Sequence, residues 1–308
     1  MASLRTWFRA TQPHSFVASL VGVALGTAIA WQHARTFDAG AFLLTAVGVV
    51  CLHAATNMSN DSIDFKRGID NLPPHLVSPF TGGARVLPES AVSFESHRRA
   101  WIALFAVAAL IGLVLALTRP NGWILLVLGT IGGIIGIFYT LPPIALQYHG
   151  LGEAAVALIF GPIVVVGAYV VQAGQFAWEP LIASIPLGLL VAAFLLVNEM
   201  PEHETDPRGG KRTIPARIGL ERSVRLYEAL LISAFALLSA SIAVGAVTWL
   251  AVIGFVAVMP LIRARAVLRT HYREYPAHIP ANAGTILAVL LFGAGLTAAY
   301  VLAALLRS

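Results

Sequence analysis

Runs of about 20 nearly uninterrupted apolar residues recur along the whole chain, the length a helix needs to cross a hydrocarbon core of about 30 Å. We read nine, at residues 14–32, 40–61, 98–118, 121–140, 152–172, 180–200, 225–245, 247–268 and 284–306. None alternates polar with apolar residues as a transmembrane strand would. Backbone groups in lipid must be satisfied within their own segment, so runs of this kind fold as helices. Charged residues make up 11 % of the chain, against about 25 % in soluble domains. The sequence therefore predicts an all-α membrane protein of nine transmembrane helices, forming one domain over residues 1–308.

The lead MASLRTWFRATQPHSF reads as an amphipathic approach to the first span and not as a removed signal peptide. The single cysteine, Cys51, excludes an internal disulfide or a multi-cysteine metal site. The formal charge of +5 reports orientation before it reports a partner. With nine spans and a cytoplasmic N-terminus, 17 of the Lys and Arg residues fall inside and only Arg35, Arg119 and Arg307 outside. Among the acids only Asp38 and Glu179 fall outside. This places the chain in the inner, cytoplasmic membrane as a multi-pass protein with its working face on the cytoplasmic side. Nothing implies nucleic acid or a protein partner.

Both long loops are on that inner side, at 62–97 and 201–224, and long polar loops in a compact bundle usually carry function. Each opens on an acidic cluster: NMSNDSIDFKRGID at 57–70 and NEMPEHETDPRGGKRTIPARIG at 198–219. On a helix, Asn57, Asp61 and Asp64 share one face, with Asn60 beside Asp64. Asn198, Glu202 and Asp206 do the same if the sixth span continues past Pro201, which proline opposes. Two like charges about 5 Å apart repel by roughly 3 kcal/mol at an effective dielectric near 20, so converging clusters require something positive. All-oxygen ligands suit Mg²⁺, which is typically held by carboxylates together with substrate phosphates. Interleaved bases (Lys66, Arg67, Arg85, Arg208, Lys211 and Arg212) supply oxyanion grips, the pattern expected for a diphosphate.

The first cluster resembles the N-x-x-N-D-x-x-D-x-x-x-G-x-D motif of the menaquinone-type branch of the UbiA superfamily of intramembrane prenyltransferases, through Asn57, Asn60, Asp61, Asp64, Gly68 and Asp70. The second is similar to that branch's second motif, from Asn198 through Asp206 to Gly210-Lys211-x-Thr213 and Arg217-x-Gly219. FTGGARVL and YTLPPIALQYHGLGE look like further segments of the same family. The resemblance implies a ring of nine helices around a central cavity. It implies transfer of a polyprenyl group from its diphosphate to an aromatic acceptor, a quinone precursor such as 1,4-dihydroxy-2-naphthoate. It further implies two Mg²⁺ ions bridged by the diphosphate and held by Asn60, Asp61, Asp64, Glu202 and Asp206. Asn57, Asn60, Lys66, Arg67, Arg85, Tyr139, Asn198, Lys211 and Arg212 would then contact substrate. Glu202 stands where the family usually has Asp, and Ala145, Gln147 and His149 stand where it usually has bases, which leaves the acceptor open. Two other readings compete: an intramembrane terpene cyclase of the same superfamily, and a cation-coupled transporter. The second is disfavoured because transporters hold their sites near the bilayer midplane, whereas these clusters close helices at one interface.

Overall fold

The computed structural model describes residues 2–69 and 76–306; Asp70 and Arg307 lie outside the described residues. The lead forms a short helix, α1 (Leu4–Ala10), and turns at Gln12, whose backbone is left-handed at φ 54°. The first run becomes α2 (Val17–Ala34) and the second α3 (Ala39–Lys66), started by Asp38, whose carboxylate accepts the Ala41 N–H at 2.9 Å. That cap satisfies one of the orphan donors of the first turn. Then follow α4 (Phe94–Thr118), α5 (Gly122–Ile137), α6 (Gly152–Leu158), α7 (Val164–Ala173), α8 (Trp178–Glu199), α9 (Ile214–Ile218), α10 (Leu220–Ala243), α11 (Val258–His271) and α12 (Ile279–Leu306).

Between α6 and α7 a wide turn at Ile159–Ile163 carries Pro162 and the non-helical Gly161, a cause of kinks that recurs in helices. The kink lets backbones meet: a Cβ on Gly188 would lie 2.4 Å from the Ala157 carbonyl oxygen. Small residues permit such close approach where apolar burial alone offers little driving force.

Eight helical segments among the described residues are long and apolar enough to cross a membrane. The expected ninth, at 121–140, forms α5 instead, 16 residues long and so about 24 Å. It ends early because the chain leaves the helix at Phe138, before the proline pair Pro142-Pro143. Successive apolar helices pack side by side, and α12 closes on α2. Three exposed tryptophans, Trp123, Trp178 and Trp249, begin α5, α8 and the 3-10 segment Trp249–Ala257. All three stand at the end opposite the acidic clusters, where an aromatic belt belongs.

The cavity is walled by part of the bundle. A cavity of about 630 Å³ is lined by residues of α2 to α8 and the inner loops, and by nothing from α10, α11 or α12. The reason is that α2 packs on both α7 and α12, and α8 on both α10 and α12. This fills the bundle's middle with Leu25, Ile29, Leu187, Leu190 and Phe292, all fully buried.

Candidate active site

The second cluster does not continue the sixth span. α8 stops at Glu199, Pro201 sits in a 3-10 turn over Met200–Glu202, and a second 3-10 turn begins at Asp206. Proline has no N–H to extend the α-helical ladder, so the chain tightens and turns. The turn carries Asp206 inward to complete burial, while Glu202 stays half-buried at the cavity wall. The first cluster does share a helical face: Asn57, Asn60, Asp61 and Asp64 all line the cavity.

Lys211 joins the two motifs. Its Nζ donates to Asp64 Oδ2 at 2.9 Å and stands 3.9 Å from Asp206 Oδ1. Thr213 Oγ1 donates to Asp206 Oδ2 at 3.1 Å, and Tyr148 Oη donates to Asp64 Oδ1 at 2.5 Å. The FTGGARVL loop closes the other side. The Gly82 N–H donates to Glu202 Oε1 at 2.7 Å and the Ala84 N–H to Asp61 Oδ2 at 3.1 Å. Between them Gly83, at φ +62°, passes so close that a Cβ would lie 2.4 Å from Asp61 Oδ1. Only glycine fits there. Gln12, from the lead, donates to that same Oδ1 at 2.9 Å.

The amides form their own chain. Asn60 Nδ2 donates to Gln147 Oε1 at 2.9 Å and to Thr140 Oγ1 at 3.1 Å. Asn57 Nδ2 donates to the Thr11 carbonyl at 3.1 Å and to Ser15 Oγ at 3.0 Å. Asn198 Oδ1 accepts from Asn282 Nδ2 at 2.7 Å. Tyr139 and Asn198 also line the cavity. The other bases are elsewhere. Lys66 lies over the Phe94 ring at 4.6 Å and Arg67 over the Tyr148 ring at 4.1 Å. Arg85 pairs with Glu89 at 3.8 Å and Arg212 is exposed. None of these four lines the cavity.

The charge is unbalanced. Asp61, Asp64, Glu153, Glu199 and Asp206 are buried, and Lys211 is the only buried Lys or Arg among the described residues. Burial pushes Asp206 up to about 7 against the pull of Lys211. Burial works to lower Lys211, but Asp206, Asp64 and Glu202 outweigh it and hold its ammonium well above the ordinary lysine value. Tyr139 and Tyr148 are raised by burial and by neighbouring carboxylates, so both hydroxyls keep their protons.

Among the described residues no three Asp, Glu, His or Cys side chains stand together as a ready-made metal cluster. The protein's own donors hold each carboxylate apart. The donor set nevertheless fits a hard divalent cation: oxygens only, excess negative charge, and a buried Asp206 Oδ1 with no hydrogen-bond donor. Ligands would come from two sides, one motif each.

Sequence reasoning missed Gln12, Gln147, Tyr148, Glu153 and Glu199 as site groups. Glu153 and Glu199 had a readable signal, being carboxylates inside apolar helices, where such groups are costly and tend to be functional. Gln12 had none, because its partner lies 49 positions away.

The family model of the UbiA prenyltransferase family matches residues 19–282. UbiA prenyltransferase domain-containing protein 1 of Xenopus tropicalis is 32 % identical over 225 residues, 73 % of this chain and 63 % of that protein. The chain thus spans less than two thirds of that relative's length. The 1,4-dihydroxy-2-naphthoate octaprenyltransferase of Bacillus subtilis is 30 % identical over 71 % of this chain and 68 % of that protein. Among solved structures, an apo UbiA homologue from Aeropyrum pernix aligns with a TM-score of 0.68 at 21 % identity, covering 91 % of this chain and 96 % of that one. A UbiA homologue from Archaeoglobus fulgidus bound to GPP and Mg²⁺ aligns at 0.66 with 15 % identity, covering 94 % and 99 %. These last two likenesses show the fold.

Proposed function

Because this chain belongs to the UbiA prenyltransferase family and is a multi-pass integral membrane protein, we propose that it transfers a polyprenyl group from a polyprenyl diphosphate to an aromatic acceptor inside the membrane. The observation that carries this reading is Lys211, set between Asp64 of one motif and Asp206 of the other, at one end of a cavity whose remaining walls are mostly Ala, Val, Leu, Ile, Phe and Gly. In this reading α5 crosses as a ninth span, the N-terminus is cytoplasmic, and the acidic loops face the cytoplasm.

Asn60, Asp61 and Asp64 would hold Mg²⁺ from one side, and Glu202 and Asp206 from the other. The ion supplies Lewis-acid stabilisation of charge building on the diphosphate. Lys211 places a fixed ammonium where that leaving group departs, a contact that strengthens as the charge develops. The loop N–H groups of Gly82 and Ala84 fix the carboxylates in position, so little reorganisation is needed when charge moves. The cavity receives the prenyl chain, and its apolar walls exclude water that would quench an allylic cation. Asn57 braces the lead against α3 through Thr11 and Ser15, which keeps Gln12 on Asp61.

The test is mass spectrometry of lipid products after the purified protein is given Mg²⁺, a long prenyl diphosphate and a panel of aromatic acceptors. A prenylated acceptor is expected. A cyclic hydrocarbon or alcohol formed without an acceptor would replace this reading with the cyclase one. Asp64→Ala and Asp206→Ala are expected to abolish diphosphate release, and full release in either variant would remove them from the metal site.

A further inference from the structure

Two aromatic rings meet where the lead approaches the FTGGARVL loop. His14 and Phe80 both line the cavity and pack edge to face, with ring centroids 5.9 Å apart. Each stands two residues from a group that holds a site carboxylate. Gln12 donates to Asp61 Oδ1 at 2.9 Å, and the Gly82 N–H donates to Glu202 Oε1 at 2.7 Å. Two residues of chain reach at most about 7 Å, so the ring pair lies beside both acidic motifs.

The half-buried His14 ring has no hydrogen-bond partner among the described residues. The other imidazole in the lining, His53, is fully engaged: Ser15 Oγ lies 3.2 Å from its Nε2 and Ser19 Oγ 2.8 Å from its Nδ1. A neutral imidazole carries one donor and one acceptor, and leaving them unmet in apolar surroundings is costly. A hydroxyl can both give and accept, so it satisfies whichever nitrogen it meets. An aromatic ring beside that hydroxyl would find aromatic partners already in place, which it prefers to meet edge-on or offset.

The reaction fixes where an acceptor ring must lie. Its attacking carbon has to come within about 3–3.5 Å of the first prenyl carbon, which is still bonded to a diphosphate held at the acidic motifs. The His14–Phe80 pair stands next to those motifs and faces the cavity that takes the prenyl chain. We infer that His14 and Phe80 form the slot for the aromatic acceptor, with His14 binding the hydroxyl next to the carbon that is alkylated. This assignment rests on the prenyl-transfer reading above. In the transfer, that ring carbon bonds to the first prenyl carbon as the bond from the prenyl carbon to the diphosphate oxygen breaks. The bonding pair leaves with the diphosphate, and the hydrogen on the alkylated ring carbon follows as a proton, restoring the aromatic ring. The acceptor class is then a phenol or hydroquinone with a free position beside a hydroxyl.

The test uses full-length protein in lipid nanodiscs with Mg²⁺, geranylgeranyl diphosphate and 1,4-dihydroxynaphthalene. His14→Phe is expected to raise the acceptor KM at least tenfold while moving the KM for the prenyl diphosphate less than twofold. Phe80→Leu keeps apolar bulk, removes the ring and leaves the lead unaltered; it should raise the acceptor KM severalfold with the same selectivity. The dimethyl ether of the acceptor cannot donate a hydrogen bond. Wild-type protein should bind it as a competitor at least tenfold more weakly than the parent diol, and His14→Phe should bring that ratio towards one. An acceptor KM that stays put in both variants, or that rises in step with the prenyl diphosphate KM, overturns the assignment and leaves prenyl transfer standing. So does equal binding of the ether and the diol by wild type, or diphosphate release with no prenylated diol. Absence of both prenylated product and Mg²⁺-dependent diphosphate release overturns the prenyl-transfer reading and this assignment with it.

Discussion

Lys211 and Asp64 lie 147 positions apart in sequence, yet their ion pair, at 2.9 Å, is almost wholly buried. Breaking a buried pair by removing one partner typically costs about 3–5 kcal/mol, because the other charge is stranded. Lys211→Met is therefore expected to lower the melting temperature and to abolish Mg²⁺-dependent diphosphate release. Added Mg²⁺ should restore part of the lost stability, since the ion takes over compensation of Asp64 and Asp206. Thermal unfolding with and without Mg²⁺ checks this, and a variant indifferent to the ion would argue against shared charge compensation.

Gly83→Ala tests the loop. The left-handed backbone alone costs a non-glycine residue roughly 1–2 kcal/mol, and its Cβ would strike Asp61 Oδ1. Asp61 has to move, so Mg²⁺-dependent turnover should fall at least tenfold, about 1.4 kcal/mol in the barrier. Gly112→Ala, at a position with no neighbour within 4 Å of the added carbon, should behave as wild type in the same assay.

The pH dependence follows from Asp206, raised to about 7 by burial. A carboxyl group with a raised value in the folded state contributes stability at acid pH that is lost as pH rises through about 7. It must lose its proton to bind metal. Between pH 8 and pH 6 the apparent Mg²⁺ affinity should drop roughly tenfold, and the ion-free protein should become more stable across the same interval. Isothermal titration of Mg²⁺ at several pH values, paired with unfolding curves, reads both. An affinity independent of pH would take Asp206 out of the ligand set.

Gly129 and Gly133 of α5 line the cavity, and a side chain at either position would meet nothing within 4 Å. Gly133→Leu should fill space without disturbing packing. Long prenyl donors are expected to lose about tenfold in kcat/KM, again about 1.4 kcal/mol, while short donors keep most of theirs. Competition between donors of different length measures the ratio. An equal loss for both would place the chain path elsewhere.

The membrane spans and the two motifs were legible because each is a local pattern: apolar length, helical spacing and contiguous residue types. Asn57, Asn60, Asp61 and Asp64 needed only the geometry of one helix. Asp206 does join the first motif across Lys211, but not along a continued helix, since Pro201 breaks the helix that would have carried it. The bases show where local reading stops. Six lay close to the motifs in sequence, but Lys66 and Arg67 could satisfy themselves on aromatic rings, and packing alone decided that Lys211 would be the one buried. Gln147, Glu153 and Glu199 are brought together by the approach of α6 and α8, which depends on Gly161 and Gly188 meeting partner backbone across a kink.

The one-sided lining of the cavity has a consequence for how such a protein can diversify. Because α10, α11 and α12 brace α2 and α8 from behind and contribute no residue to the lining, the C-terminal third reaches the cavity only through its neighbours, as Asn282 does through Asn198. Its lipid-facing residues, among them Ile232, Met259 and Ile262, are free to track the thickness and composition of a host membrane. A mutational scan should accordingly find changed turnover concentrated at the lining positions, and changed lifetime in the bilayer at the lipid-facing positions of α10 to α12.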